Sequence, residues 1–224
     1  MAKKKIRKSR KKRELKVRKK AGMKKEDKQL LWFFIVVFLV FASFLGGYFY
    51  FQSLKSFNYA GVDWIKEDMN GLKLYHSVFP TFYDSGISYN LYLRNDPRTN
   101  NISVNAVFIF KPEVIVSWEP EAGACKNAIL SSGNIAMFLT QAGGLKVEGA
   151  ITNESVAKEL NMSFADCNSA GEKTVVLIKK SEEPKIVQKT QNCYVIEIGN
   201  CQNIEAAEKF ILAVLAQTKG AKLT

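Results

Sequence analysis

Residues 192–201 read NCYVIEIGNC and place Cys193 and Cys201 at the two ends of a short apolar run. Such a run predicts a buried β-strand, because aromatic and β-branched side chains pack well on a pleated surface. About six residues at about 3.3 Å each would hold the two cysteines about 20 Å apart. A disulfide needs Cα atoms within about 7 Å, so we do not expect Cys193 and Cys201 to bond to each other.

Strands and helices alternate on the N-terminal side of this run, and one helix follows it. Apolar runs predict five strands, at 114–118, 145–150, 174–180, 185–191 and 193–199. Helical periodicity predicts three helices, at 125–143, 154–161 and 204–217. We expect Asn153 to cap the second helix and Asn200 or Asn203 to cap the third. The order β-α-β-α-β-β-β-α indicates an α/β fold over residues 113–218, followed by a flexible C-terminus at 219–224.

All four cysteines follow the first of these strands, at Cys125, Cys167, Cys193 and Cys201. An even number of cysteines in an oxidising compartment predicts two disulfides. Right-handed crossovers make the first three strands parallel, and the meander that follows makes 193–199 parallel to them. Cys125 and Cys201 then lie at the carboxyl edge of the sheet, and Cys167 and Cys193 lie at the opposite edge. The strand directions therefore predict the pairs Cys125–Cys201 and Cys167–Cys193.

Residues 52–112 predict a β-meander. Four extended runs are separated by turn residues, and they lie at 57–67, 72–79, 86–94 and 101–110. Asn70-Gly71 is a strong signal for a two-residue hairpin turn, and Pro97 suits the turn before the fourth run. We expect the four strands to pair in chain order, with one face buried. A β-meander followed by the α/β part indicates an α/β class with α+β elements.

Residues 29–51 predict an uncleaved transmembrane signal anchor. Positions 30–51 hold 22 residues without a charge. As a helix they span roughly 33 Å, enough for a hydrocarbon core of ~30 Å. Trp32 near one end and Tyr48 and Tyr50 near the other suit the two membrane interfaces. A cleaved signal peptide usually has a shorter apolar region that ends in small residues, which this run lacks.

Residues 1–28 form a basic tail, with 12 lysines and four arginines against three acidic residues. The positive-inside rule keeps this tail in the cytoplasm and places residues 52–224 outside it. We expect residues 3–28 to contact anionic lipid headgroups. A cytoplasmic protein partner is an alternative. Nucleic acid or a ribosome is a less favoured one, because no aromatic residue is interleaved for base stacking.

Three Asn-X-Ser sequons fall in the part that we expect outside the cytoplasm, at Asn101, Asn153 and Asn161. Each is a possible acceptor for N-glycosylation, which occurs on exposed loops of secreted domains. Tripeptides of this kind also arise by chance, so they add only a little to the orientation argument.

The segment WEPEAGACK, residues 118–126, resembles the active-site segment of thioredoxin, in which a strand ends in Trp and runs into C-G-x-C-K. Trp118, Gly123, Cys125 and Lys126 match that segment, and the resemblance extends over residues 114–216 through the order of strands and helices. It implies a thiol-disulfide oxidoreductase whose third strand runs antiparallel to its first. Ala122 occupies the position of the attacking cysteine, and the proline expected before the third strand is absent.

Other candidate sites carry less chemistry. We expect no metal or cofactor, because no C-x₂-C pair occurs and His76 is the only histidine. His76 shares a strand face with Leu72, Leu74 and Val78, which favours a half-buried structural histidine. We expect two groups of carboxylates to be solvated. One group is Asp63, Glu67 and Asp68, and the other is Glu119 and Glu121. Three serines are candidate nucleophiles: Ser117, Ser131 and Ser132. They lack a second histidine to act as a base.

These features favour a non-enzymatic membrane protein. We expect a single-pass anchor that displays an extracytosolic α/β domain for interaction with an unidentified protein or for envelope assembly. One alternative is a degenerate thioredoxin-like oxidoreductase that uses Cys125. The other is a membrane tether whose basic tail binds nucleic acid or a ribosome.

Overall fold

The computed structural model describes residues 25–53 and 55–223 of the chain. Contacts divide the chain into two units, residues 1–53 and 54–224. The expected basic tail lies outside the described residues up to position 24, as does the last residue of the expected C-terminal tail. The described chain mixes helix and sheet and has one long apolar helix near its N-terminus, as the sequence predicts.

Helix α1 runs from Lys25 to Ser53. Its residues from Lys25 to Phe51 form a helix long and apolar enough to cross a membrane. With 29 residues the helix is about 43 Å long, more than the ~30 Å of a hydrocarbon core. Glu26 and Asp27 lie in its first turn, where the helix dipole favours negative charge.

The second unit opens with an antiparallel sheet of four strands that pair in chain order. The strands are β1 (Ser56–Tyr59), β2 (Val62–Met69), β3 (Leu72–Pro80) and β4 (Ser88–Leu93). Asn70 and Gly71 join β2 to β3 with φ angles of 56° and 85°, as a tight hairpin turn requires. A turn at Ala60-Gly61 divides the predicted strand 57–67 into β1 and β2.

The second sheet has seven strands in the order β5-β10-β11-β9-β6-β7-β8. They are β5 (Ser103–Asn105), β6 (Glu113–Trp118), β7 (Lys146–Ile151), β8 (Ser163–Phe164), β9 (Thr174–Ser181), β10 (Lys185–Thr190) and β11 (Cys193–Gly199). Strands β6, β7, β8, β9 and β11 are parallel, and β10 and β5 run the opposite way.

The helices of this unit are α2 (Pro120–Gly123), α3 (Ala128–Met137), α4 (Glu154–Glu159) and α5 (Asn203–Thr218). Helix α3 starts later than the sequence predicts, because Asn127 adopts a left-handed φ of 66°, and it continues as a π-helical turn, Phe138–Ala142. Asn153 caps α4, since its side chain accepts the N–H groups of Ser155 and Val156. Neither Asn200 nor Asn203 caps α5. The Asn203 side chain donates instead to the carbonyl of Lys126.

Strands β9, β10 and β11 do not form the expected meander, in which β10 would lie between the other two. Strand β11 lies directly beside β9, and β10 lies on the far side of β11. The side chains explain this order. Every residue of β11 is buried, whereas β10 exposes Lys185, Lys189 and Thr190 and suits a position near the sheet edge. The direction of β11 is still parallel to β9, as the sequence predicts.

The expected fourth strand of the meander, residues 101–110, does not join the first sheet. Only Ser103–Asn105 form a strand, which pairs in parallel with β10. Beyond it, side chains satisfy the backbone: Phe108 N–H donates to Gln217, and Ile109 N–H donates to the Tyr194 hydroxyl. These partners lie more than 80 residues away in sequence, so local strand propensity does not decide where the segment pairs.

Helix α5 forms the centre of this unit. It is buried on every side from Ala206 to Ala216, as expected for a helix that is apolar all round. It packs against β10 and β11 of the second sheet. Just beyond its end, the Lys219 ammonium lies 5.7 Å from the centroid of the Phe79 ring in the first sheet. Both sheets and α5 therefore share one hydrophobic core.

Candidate binding groove

Four parallel strands, β6, β7, β9 and β11, bring their carboxyl ends to one edge of the second sheet. The chain leaves β6 toward β7 on one side and later places β9 on the other side. The junction of β6 and β9 is therefore a topological switch point, where open α/β sheets commonly bind ligands. This edge is the first candidate for a functional site.

Helix α2 and a disulfide close the switch point itself. The N–H of Glu119 donates to the carbonyl of Ile178 at 2.9 Å, which ties the end of β6 to β9. Cys125 bonds to Cys201, and their Cα atoms are 5.4 Å apart. The cavity lined by Ala122 has a volume of about 10 Å³, room for one water molecule at most. A ligand therefore has to bind beside the switch point.

The second disulfide fastens the loop between β8 and β9 to the start of β11. Cys167 bonds to Cys193, the first residue of β11, with a Cα separation of 5.4 Å. Ala170, Val175 and Val195 form a small apolar cluster beside it. The two pairs in the structure are the same two that the strand directions predict.

The thioredoxin resemblance implies a different arrangement. It would put Cys125 and Cys167 at one edge, because the third strand would run antiparallel to the first. In the structure β9 is parallel to β6, and Cys125 and Cys167 bond to different partners. The implied topology is therefore wrong for this chain, and Cys125 is a disulfide sulfur rather than a free thiol.

A groove of about 530 Å³ lies on the part of this edge near β11. Its walls come from the loop 95–103, from the turn after β9 and from the first turn of α5. Most of its lining side chains are amides, hydroxyls or carboxylates, and they include Asn95, Thr99, Asn101, Glu183, Gln202 and Glu205.

Two buried charges hold the loop wall of the groove against α5. Glu208, 3% exposed, accepts hydrogen bonds from the backbone N–H groups of Arg94 and Asn95 and from the Asn95 side chain. Lys209, 6% exposed, donates to the carbonyl of Asn100 at 2.7 Å. Burial raises the pKa of the Glu208 carboxyl and lowers the pKa of the Lys209 ammonium. The loop is therefore fixed before any ligand arrives.

The electrostatic character of the groove is acidic. Glu183 is exposed and Glu205 is half-buried, and both line it. Neither makes an ion pair within the described part of the chain. The nearby Arg98 is engaged elsewhere, because it pairs with Asp96 at 2.7 Å and lies 3.9 Å from the Phe57 ring centroid. No basic side chain lines the groove among the residues that the structure describes.

The three sequon asparagines are all exposed. Asn101 lines the groove, whereas Asn153 caps α4 and Asn161 follows that helix with a φ of 51°. Exposure is what attachment of a glycan requires, and glycan occupancy stays a prediction.

His76 lies on the solvent-facing side of the first sheet. Its Nδ1 is 2.9 Å from Glu67 Oε1, its Nε2 is 3.1 Å from Asn90 Oδ1, and its ring stacks on Tyr92 at 4.3 Å. The histidine is half-buried and fully partnered, as a structural residue would be. The face that it shares with Val78 is the outer one, since the alternate residues of β3 are buried.

The remaining polar candidates serve local structure. Asp63 and Asp68 each accept a hydrogen bond from a neighbouring residue of the sheet or turn, so the first carboxylate group does not converge on one point. Glu119 precedes α2 and is half-buried, and Glu121 lies in the first turn of α2 and is exposed. Each of the singled-out serines donates to a backbone carbonyl: Ser117, Ser131 and Ser132.

Sequence reasoning missed the charged residues that build the groove. A signal for Glu208 and Lys209 was present, because two adjacent charges interrupt a helix that is otherwise apolar on all sides. Glu183 and Glu205 gave no comparable signal. One lies in a turn and the other in the first turn of a helix, and acidic residues are ordinary at both positions.

No protein-family model, curated protein or solved structure matches this sequence.

Proposed function

We propose that this chain is a single-pass membrane protein that displays a disulfide-bonded domain outside the cytoplasm and binds a partner protein there. The domain comprises a four-stranded β-meander, from Ser56 to Leu93, and an α/β part that contains the seven-stranded sheet. The observation that carries the proposal is that an apolar helix precedes two disulfides that use all four cysteines. Disulfides persist in oxidising compartments, which lie outside the cytoplasm.

The charge distribution supports the same orientation. The basic residues of positions 1–28 flank the N-terminal end of α1, and the positive-inside rule keeps such a flank in the cytoplasm. Contact of residues 3–28 with anionic lipid headgroups strengthens that orientation. Each basic residue near the membrane surface contributes about 1 kcal/mol.

The groove is the surface best suited to a partner. It lies at the carboxyl edge of parallel strands, and its loop wall is held by buried charges rather than by exposed contacts. A wall that is ordered beforehand avoids the entropy loss that a flexible loop suffers on binding. These properties favour a binding role over a purely structural one.

Site-specific photo-crosslinking in intact cells tests this proposal. A photoreactive amino acid replaces Thr99 at the groove in the full-length protein, and in a matched control it replaces the exposed Lys158 on α4. We expect a light-dependent adduct with one extracytosolic protein at Thr99 and none at Lys158. Absence of an adduct at Thr99, or equal adducts at both positions, would contradict a groove-binding function.

A further inference from the structure

We infer that the Cys125–Cys201 disulfide is a reducible clamp, opened by an external dithiol that attacks the Sγ atom of Cys201. The two disulfides of the domain differ in access to their sulfur atoms and in the conformation of the backbone around them. Both differences distinguish this pair from Cys167–Cys193. The inference goes beyond the proposed function and does not depend on the partner, because reduction can be measured with this protein alone.

The first difference is access. Cys201 is exposed in the turn after β11, whereas Cys125 is only 7% exposed. In the other pair Cys193 is fully buried at the start of β11, and Cys167 is half-buried beside a small apolar cluster. Thiol–disulfide exchange requires that the attacking thiolate reach one of the two sulfur atoms. A reductant in solution therefore reaches Cys201 more easily than any other cysteine of the domain.

The second difference is the backbone. Six non-glycine residues have a positive φ in the part of the chain that the structure describes, and three of them lie at this disulfide. They are Asn127 at 66°, Asn200 at 50° and Cys201 at 58°. Neither Cys167 nor Cys193 has a positive φ. Asparagine tolerates the left-handed region, but the Cβ of a cysteine there lies too close to the following carbonyl oxygen.

The turn that holds Cys201 favours a smaller residue. The N–H of Gln202 donates to the carbonyl of Gly199 at 3.0 Å, and both residues between them have a positive φ, as in a type I′ turn. Cys201 occupies the second central position, where glycine is preferred. Conformations of this kind persist where the surrounding structure fixes them, and they cluster at clamps and switch regions. The bond to Cys125 fixes this turn, so opening the bond lets the turn relax.

The reaction consists of two displacements. One thiolate of the dithiol attacks Cys201 Sγ and forms a mixed disulfide, while the bond between Cys201 and Cys125 breaks. The electron pair of that bond leaves on the Cys125 sulfur, which takes a proton from water. The second thiol of the reagent loses its proton to water and displaces Cys201 from the mixed disulfide. Two electrons therefore pass to the protein, which gains two thiols, and the reagent is released as its cyclic disulfide.

Opening the bond affects the start of α5 and the groove beside it. Gln202 and Glu205 line the groove, and both follow Cys201 closely in sequence. The Asn203 side chain donates to the carbonyl of Lys126 at 2.9 Å, so a hydrogen bond also joins the two segments that the disulfide connects. A hydrogen bond opens far more readily than a covalent bond. The oxidation state of the disulfide therefore sets how firmly this wall of the groove is held.

Timed reduction of the full-length protein in phosphatidylcholine nanodiscs tests the inference. The reductant is dithiothreitol, samples are quenched with N-ethylmaleimide, and peptide mass spectrometry measures the labelling of each cysteine. We expect Cys125 and Cys201 to be labelled about 10-fold faster than Cys167 and Cys193. Hydrogen exchange of residues 199–205 should become faster once the first pair is open. Equal rates for the two pairs, faster opening of Cys167–Cys193, or unchanged hydrogen exchange would overturn the inference.

Two alanine variants on either side of Cys201 test the role of the turn. Asn200→Ala makes the left-handed conformation less favourable. It should raise the equilibrium constant for reduction of Cys125–Cys201 by dithiothreitol about 3- to 10-fold. The matched control Gln202→Ala replaces an exposed residue whose φ is −74°, and it should change that constant by less than about 2-fold. A constant that Asn200→Ala leaves unchanged, or that both variants raise equally, would overturn the inference.

Discussion

Glu208 and Lys209 are adjacent charged residues inside the most deeply buried helix of the molecule. Removing a charge from water is unfavourable unless hydrogen bonds replace the lost hydration. Glu208 receives three such bonds from Arg94 and Asn95, and Lys209 gives one to Asn100. Hydrogen bonds to the loop therefore replace the lost hydration of both side chains. The same hydrogen bonds hold that loop, which forms a wall of the groove.

Glu208→Ala should lower the free energy of unfolding by about 2–4 kcal/mol, because buried donors of Arg94 and Asn95 lose their acceptor and a cavity remains. The measurement is urea unfolding of the full chain, followed by tryptophan fluorescence. Glu159→Ala, at an exposed position of α4, is the control and should change the stability by less than about 0.5 kcal/mol. Similar values for the two variants would show that Glu208 does not hold the loop.

Glu208 also links stability to pH. Burial raises the pKa of its carboxyl above the ordinary 4.5, although the hydrogen bonds from Arg94 and Asn95 favour the charged form. The folded state therefore keeps its proton at pH values where the unfolded chain has lost it. This contribution is fully present below pH 4.5 and is lost as the pH rises through the raised pKa. The stability advantage of the natural chain over Glu208→Gln should shrink across that window, and a difference independent of pH would contradict this assignment.

Gly199, the last residue of β11, permits the close approach of the turn beside the groove. A Cβ at this position would lie 2.6 Å from Pro184 Cδ and 2.8 Å from the carbonyl oxygen of Glu182. Gly199→Ala should therefore lower the free energy of unfolding by about 1–3 kcal/mol, with a lower melting temperature, and displace that turn. Gly133→Ala in α3, where a Cβ meets nothing within 4 Å, should be neutral or stabilising. Equal melting temperatures for the two variants would count against the close contact at Gly199.

The disulfides act at the scale of elements, because each joins two distant segments. Cys125–Cys201 spans 76 residues and Cys167–Cys193 spans 26. The chain-entropy model gives about 4.5 kcal/mol for the longer loop and about 3.5 kcal/mol for the shorter one. Replacing the first pair by alanine should therefore destabilise the domain more than replacing the second. Urea unfolding of the two double variants measures this order, and the reverse order would show that core packing at Cys193 outweighs loop length.

Strand directions could be predicted from the sequence because they follow from short-range rules. Right-handed crossovers between apolar runs make β6, β7 and β9 parallel, and the cysteine positions follow from those directions. Strand neighbours could not be predicted in the same way. Whether β10 or β11 lies beside β9 depends on the burial of whole strands, which becomes visible only once both faces of the sheet are covered.

The segment 101–110 shows the same limit more strongly. Its alternating pattern is that of a strand, and its side chains do alternate between buried and exposed positions. Its backbone partners are side chains, Gln217 and Tyr194, that come from a distant helix and strand. No local signal identifies such partners, so the sequence predicts an extended chain but not its place in the fold.

The groove also depends on contacts across the whole domain. Its walls come from residues around positions 100, 183 and 205, which only the folded sheet brings together. The sequence supplied the cysteines, the apolar helix and the sequon Asn101 at the rim, but it offered no reason to group Glu183 with Glu205. The residues whose types suggest catalysis, His76 and Cys125, have structural surroundings.

At the scale of the whole molecule, the proposed orientation predicts which lysines are reachable from outside. An amine reagent that does not cross membranes should label the exposed Lys126 and Lys158 in intact cells. Lys3 and Lys4 of the basic tail should react only after the membrane is permeabilised. Mass spectrometry of the labelled protein measures the extent of labelling at each lysine, in intact cells and in permeabilised cells. Labelling of the tail in intact cells, with protection of Lys126 and Lys158, would reverse the orientation.

The most direct test of the extracytosolic, disulfide-bonded domain is disulfide mapping of the full-length protein. Free thiols are alkylated in intact cells, the protein is extracted from the membrane, and peptides are compared with and without reduction. We predict no alkylated cysteine and two linked peptide pairs, Cys125 with Cys201 and Cys167 with Cys193. Four alkylated cysteines would contradict the account, because the domain would then lie in a reducing compartment and both its orientation and its proposed partner would be wrong.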